Sequence, residues 1–221
     1  MTDAHCHVPC GDDSVRELVV GRDFIGVHPW DVRDWAGPAS IAAIRAKLDA
    51  DPGVGVGEIG LDRLRERAIS VEMREAFEAQ LALAVEMRRP VVLHGAKCWG
   101  QVVEAVARLL PRQPPSGTAQ ALLFHGFSRS DGLIPDIVAM NGYISVGPAI
   151  LNDHAVNYRA LAKKIPADRL LVETDRTVGN AAECPCVRDV LVKLAEVRGE
   201  DPAALEAQTD ANAARFVQRQ I

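Results

Sequence analysis

Short apolar runs alternate along this chain with stretches in which apolar positions recur every three to four residues. The runs read as strands covered on both faces, and the periodic stretches as helices packed against them. Strand-like runs fall at 3–7, 23–28, 54–58, 91–94, 121–125, 143–146 and 170–175. Helical spacing covers 40–48, 70–88, 101–110, 155–164, 187–198 and 202–218, with a short helix before Tyr143. Within 70–88, Met73, Phe77, Leu81 and Ala84 mark one face. Ser70 and Ser40 are suitable N-caps, and Asp201-Pro202 is a start signal for the last helix. Residues 8–23 are polar, with Pro9, Gly11 and Asp12-Asp13, and read as a loop. Pro111, Pro114, Pro115 and Gly117 make 111–118 a second loop.

Strands alternating with helices predict an α/β protein built on a parallel sheet or barrel. The expectation is a short TIM-barrel-type (β/α) barrel with seven clear strands and an eighth that is irregular or missing. No linker, repeat or low-complexity segment divides the chain, so 1–221 is expected to be a single domain. With 48% hydrophobic and 25% charged residues, the composition is that of a globular protein. No apolar run reaches the roughly 20 residues that span a bilayer. The polar start is unlike a signal peptide, so a cytoplasmic protein with no membrane role is expected. The net charge of −5 argues against charge-driven adhesion to nucleic acid, but not against an enzyme of phosphate esters. Five cysteines without framework spacing read as free thiols. Cys184-Pro185-Cys186 lacks the spacing of a metal or redox pair.

The chemistry sits where the strands stop. His5 and His7 lie two apart in an extended run and so share a face. Four later runs contain or end on Glu58, His94, His125 and Asp175. Singly, each has a plain reading as a satisfied core group, a cap or a surface charge. Together they are harder to dismiss, because parallel strands of a barrel bring their C-terminal ends to one face. Burying so many titratable groups there without a cation would be costly. Imidazole and carboxylate donors suit Zn, Mn or Mg. Six are too many for one tetrahedral ion, and suit two divalent ions about 3.5–4 Å apart. Glu58 is the natural bridge, and Asp175 the natural ligand beside an activated water, which makes these two the catalytic candidates.

Six ordered motifs resemble the TatD-like metal-dependent hydrolases, often called TatD deoxyribonucleases. They are Asp3-Ala-His-Cys-His7, Gly26-Val-His-Pro-Trp30, Gly57-Glu-Ile-Gly-Leu-Asp62, Pro90-Val-Val-Leu-His94, His125-Gly-Phe-Ser128 and Leu171-Val-Glu-Thr-Asp175, followed by Asn212-Ala-Ala-Arg-Phe216. The resemblance implies a TIM-barrel-type fold, divalent metals and hydrolysis, with DNA phosphodiesters the activity most often assigned. It matches His5, His7, Glu58, His94, His125 and Asp175 to metal ligands, and His28 to a histidine near the substrate. The chain departs from the family in Gly95-Ala96-Lys97 after His94, Ser128-Arg129 where Ser-Gly is usual, and Arg176-Thr177 where Ala-Pro is usual. It is also shorter, like a compact branch. Lys97 and Arg129 follow strand ends and join His28 as candidate substrate contacts, with Arg176 a weaker one. Trp30 and Trp99 are suited to stacking on a base, although packing over the barrel mouth is the plainer role. Expected partners are DNA or a small phosphate-ester substrate, with no obligate protein partner. Two rival readings are a metal-dependent hydrolase of a small amide, lactone or phosphate ester, and a non-catalytic binding protein.

Overall fold

A computed structural model describes residues 1–65, 67–110 and 120–218. The loop expected over 111–118 lies outside the described residues. Strands β1 (Thr2–Cys6) and β2 (Arg16–Val19) form a parallel pair. Six more parallel strands follow in sequence order: β3 (Phe24–Ile25), β4 (Gly55–Asp62), β5 (Val91–Ala96), β6 (Leu122–Phe124), β7 (Gly142–Val146) and β8 (Leu170–Val172). Backbone bonds join the two sheets on both sides. A bridge links Val20 to Phe24, and the Asp175 N–H donates to the His5 carbonyl at 3.0 Å. The His7 N–H donates to the Arg176 carbonyl at 2.8 Å. The eight strands thus close as a barrel, with the residues just past β8 laced to β1.

Period-2 alternation divides each strand between two environments. Outward residues such as Val91, Leu93, Phe124, Ile144 and Val172 join the large core beneath the helices. Inward residues Val92, Leu123, Tyr143 and Leu171 form a smaller cluster with Phe24 and Phe216. Phe216 stacks on Phe24 with ring centres 5.8 Å apart and meets Tyr143 edge-on at 5.9 Å. Two residues further along the same inward parity stand His94, His125 and Glu173. The barrel interior is therefore apolar at its base and polar at its C-terminal mouth.

The helices are α1 (Pro38–Ala50), α2 (Val71–Glu86), α3 (Trp99–Leu109), α4 (Ile134–Ala139), α5 (Val156–Lys164), α6 (Val187–Arg198) and α7 (Pro202–Val217). Ser70 caps α2 by accepting from the Met73 N–H, and Asp201 caps α7 through the Ala204 N–H. Three expectations need correction. β2 lies inside the stretch read as a loop; only Leu18 and Val19 of its four residues are buried, so no apolar run announces it. It is the strand that seemed to be missing. The strand expected over 23–28 contracts to Phe24–Ile25, leaving His28 free to turn into the mouth. Helix α1 starts at Pro38, whose fixed φ suits a first turn, and the Ser40 hydroxyl instead accepts from the Ala36 N–H. Among the described residues no helix is long and apolar enough to cross a membrane.

Asn212 of α7 is fully buried, and its amide donates to the Ala167 and Leu170 carbonyls, each at 2.7 Å. Asn212→Ala strands both acceptors and should cost about 2–4 kcal/mol, seen as a lower midpoint in chemical denaturation with an unchanged native CD spectrum. A loss under about 0.5 kcal/mol would mean that water replaces the amide.

Candidate metal centre

The strand ends bring six expected ligands to one place, arranged around Glu58. This carboxylate, on β4, is buried beneath the mouth, and its two oxygens face different neighbours. Oε2 lies 3.4 Å from His5 Nε2 and 3.3 Å from His7 Nε2. Oε1 lies 2.5 Å from His94 Nδ1, 2.6 Å from His125 Nε2 and 3.3 Å from His28 Nε2. Asp175 Oδ1 stands 3.6 Å from both His5 Nε2 and His7 Nε2, completing the first side. His28, expected near the substrate, belongs to the cluster itself.

These donor atoms fit a divalent cation. His5, His7 and Glu58, then His5, His125 and Asp175, then His28, Glu58 and His94, each offer atoms within 4.8 Å of one another. Burial without hydrogen bonds points the same way. His5 is 0% exposed, yet neither ring nitrogen has a hydrogen-bond partner, and Glu58 Oε2 is equally orphaned. Such groups are costly unless something else satisfies them. Oxygen and imidazole donors suit Zn, Mn or Mg, and among the described residues no cysteine joins these three groups.

Charge coupling follows from the same contacts. Burial alone would raise the Glu58 pKa, but His125, His28 and His5 outweigh it and hold the carboxyl well below its ordinary range. Burial lowers His125, and Glu58 and Glu173 more than reverse this, so it is raised well above the usual value. His94 is raised against burial by Asp62 and Glu58. His7 is raised to about 9, chiefly by Asp175 and then by Glu58. Asp175 is lowered, with His7 the main opponent of burial.

Three carboxylates behind the cluster escaped sequence reasoning. Asp62 Oδ2 lies 2.9 Å from His94 Nε2, and Asp62 Oδ1 accepts the Leu64 and Arg65 N–H groups. Its pKa is held far below normal despite burial, by His94 first. A carboxylate there favours a proton on His94 Nε2, which would leave the Nδ1 lone pair for a cation shared with Glu58. Glu173 accepts from the Gly126 N–H and the Ser145 hydroxyl and stands 3.9 Å from His125 Nδ1. Asp3 accepts from the Thr174 N–H at 3.0 Å, the Thr174 hydroxyl at 2.6 Å and the His5 N–H at 3.3 Å. Burial raises Asp3 to about 7 against these bonds. One signal was present: Asp3, Asp62 and Glu173 lie two or four positions from His5, Glu58 and Asp175, so strand alternation puts each on its partner's face.

The remaining candidates lie on the rim. Lys97 and Arg129 are exposed, and among the described residues neither makes a hydrogen bond or ion pair. Arg129, Glu173 and Asp175 line a cleft of about 870 Å³ with His154, Asn157 and Asn180. Lys97, Arg129 and Asp175 all have left-handed backbones, with φ of 57°, 62° and 49°. Strain of this kind gathers at functional sites. Arg176 instead donates to the Cys184 carbonyl and holds its loop. Trp99 is buried between Phe124 and Phe127, so its role is packing. Trp30 is not, being 47% exposed. All five cysteines are free thiols.

The sequence model of the family described as TatD related DNase matches residues 20–218. The chain is 34% identical over 204 residues to the 3'-5' ssDNA/RNA exonuclease TatD of Cronobacter sakazakii, covering 86% of this chain and 74% of that one. It is 32% identical to the protein of the same name from Klebsiella pneumoniae, covering 85% and 73%. Its fold is similar to that of the TatD homolog YJJV of Escherichia coli, with a TM-score of 0.71 at 22% identity over 93% of this chain and 78% of that one. A TatD family hydrolase of Entamoeba histolytica gives 0.69 at 14% identity, over 91% and 75%.

The raised imidazoles carry a pH signature in metal-free protein. A raised pKa contributes stability that is fully present below about 6.5 and lost as pH rises. For His7 that loss runs through about 9. The lowered carboxylates Glu58 and Asp175 contribute above about pH 4, and lose that contribution in acid. Chelator-treated protein should therefore melt at a higher temperature at pH 6 than at pH 9. A midpoint that climbs over that interval would contradict the assigned pairing.

Proposed function

This chain belongs to the family of TatD related DNases, metal-dependent hydrolases of phosphodiester bonds, and from that footing we propose that it is an exonuclease of single-stranded DNA working over Glu58 and Asp175. The observation that carries this reading is the division of labour on one buried carboxylate, with a separate set of imidazoles at each oxygen. His5, His7, Glu58 and Asp175 would hold one divalent ion, and Glu58, His94 and His125, with His28 beside them, would hold a second. When bound, they supply positive charge for the phosphoryl oxygens and lower the pKa of a water.

The chain's own groups do the rest. Asp175 is the most open member of the set, its side chain 48% exposed and bordering the cleft. Its lowered pKa keeps it a carboxylate at neutral pH, ready to accept a proton from the attacking water. Glu58, shielded below, holds the two halves in register. A molecule of net charge −5 gains nothing from its overall field when binding DNA. Local cations must therefore attract the phosphates, and Lys97 and Arg129 stand unpaired on the rim to do so. The Cronobacter sakazakii and Klebsiella pneumoniae relatives are named for single-stranded substrates and for 3'-5' polarity, which supports the same choice here.

Asp175→Asn should lower kcat on a single-stranded oligonucleotide about 10²- to 10⁴-fold with an unchanged CD spectrum, and a chelator should do the same to wild type. Full activity in both cases would overturn the mechanism. Asp62→Ala should weaken metal affinity about 10- to 100-fold in competition with a chromophoric chelator, and unchanged affinity would remove its orienting role.

A further inference from the structure

Trp30 is a large aromatic side chain left 47% exposed at the edge of the metal centre. A tryptophan kept only for packing gains by burial, as Trp99 does at 4% exposure. Instead, the Trp30 indole is held rigidly in the open. Pro29 opens the turn that carries it (Pro29–Asp34), and the Trp30 backbone N–H donates to His28 Nδ1 at 3.0 Å. Its indole N–H donates to Asp62 Oδ2 at 2.8 Å, the same oxygen that lies 2.9 Å from His94 Nε2. The ring centre is 4.9 Å from that of His28 and 6.2 Å from that of His94. The Arg65 guanidinium lies over the indole, 5.1 Å from its centre. Trp30, Arg33, Asp62, Arg65 and Met73 border a pocket of about 260 Å³.

We propose that Trp30 is a stacking platform for a nucleobase of the substrate, the base taking the place over the indole that the Arg65 guanidinium holds in its absence and the displaced guanidinium meeting the phosphate attached to that base. The inference rests on the nuclease reading and adds what that reading lacks, a recognition element for the base. An indole fixed at both its ring N–H and its backbone loses little freedom when a base arrives. Every base has a π-face, so such a platform grips a strand without selecting its sequence. The sharing of Asp62 also fixes the distance between platform and His94. A stacked base would therefore sit at a set reach from the phosphate held over Glu58.

The test compares Trp30→Phe and Trp30→Ala on an oligonucleotide and on the same oligonucleotide made abasic at its terminal positions. On the normal strand, Trp30→Ala should raise KM roughly 5- to 100-fold with little change in kcat. Trp30→Phe, which keeps a π-face but loses the bond to Asp62, should retain most of the affinity. On the abasic strand, wild type and Trp30→Ala should have similar KM. Equal damage from Phe and Ala, or equal damage on both strands, would overturn the proposal and assign Trp30 to positioning Asp62. Binding is measured separately with metal-loaded Asp175→Asn, where the normal strand should quench indole fluorescence and the abasic strand should quench it less. Equal quenching would also overturn it. A wild-type protein that binds with this pattern but cuts nothing would keep the platform and remove the nuclease reading, so the two fail separately.

Discussion

A carboxylate buried among five imidazoles is the constraint that the rest of this molecule answers to. Glu58 alone in that position would pay a large desolvation cost, and would take up a proton rather than remain charged. His5, His7, His28, His94 and His125 prevent that, and they come from four places along the chain: the end of β1, the turn after β3, strand β5 and the end of β6. His94 reaches Glu58 from the adjacent strand, while the histidine pair of β1 reaches it across the mouth because the parallel strands close into a ring. The barrel and the site are therefore one requirement seen twice.

The supporting layer has the same logic. Imidazole rings around a charge can rotate unless their far nitrogens are fixed. Asp62 fixes His94, and Glu173 stands behind His125. Asp3 works on the backbone instead, tying Thr174 to His5 and so holding Asp175 against the histidine pair. Below them the interior changes character. Val92, Leu123, Tyr143 and Leu171 close around Phe216, so the polar mouth rests on an apolar floor.

Much of this was legible in the sequence because two periodicities act together. Apolar runs mark strands, and residue types that bind cations mark where those runs end, which placed His5, His7, Glu58, His94, His125 and Asp175 on one face. The signal failed where burial is partial. Arg16 and Glu17 lie at the more open end of β2, and only Leu18 and Val19 carry the apolar code. It failed again where chemistry hides in ordinary residues. Asp3, Asp62 and Glu173 look like any acidic side chain until strand parity is counted from a ligand. Trp30 could not be separated from Trp99 by composition; only burial divides the one from the other.

The bonds from Asp175 to His5 and from Thr174 to Asp3 join the first strand to the segment beyond the last one. During synthesis the histidine pair leaves the ribosome long before Asp175 exists. Any partial product ending before β8 carries an incomplete constellation. The order of the strands thus acts as a timer, withholding the assembled centre from a nascent chain until the ring can shut.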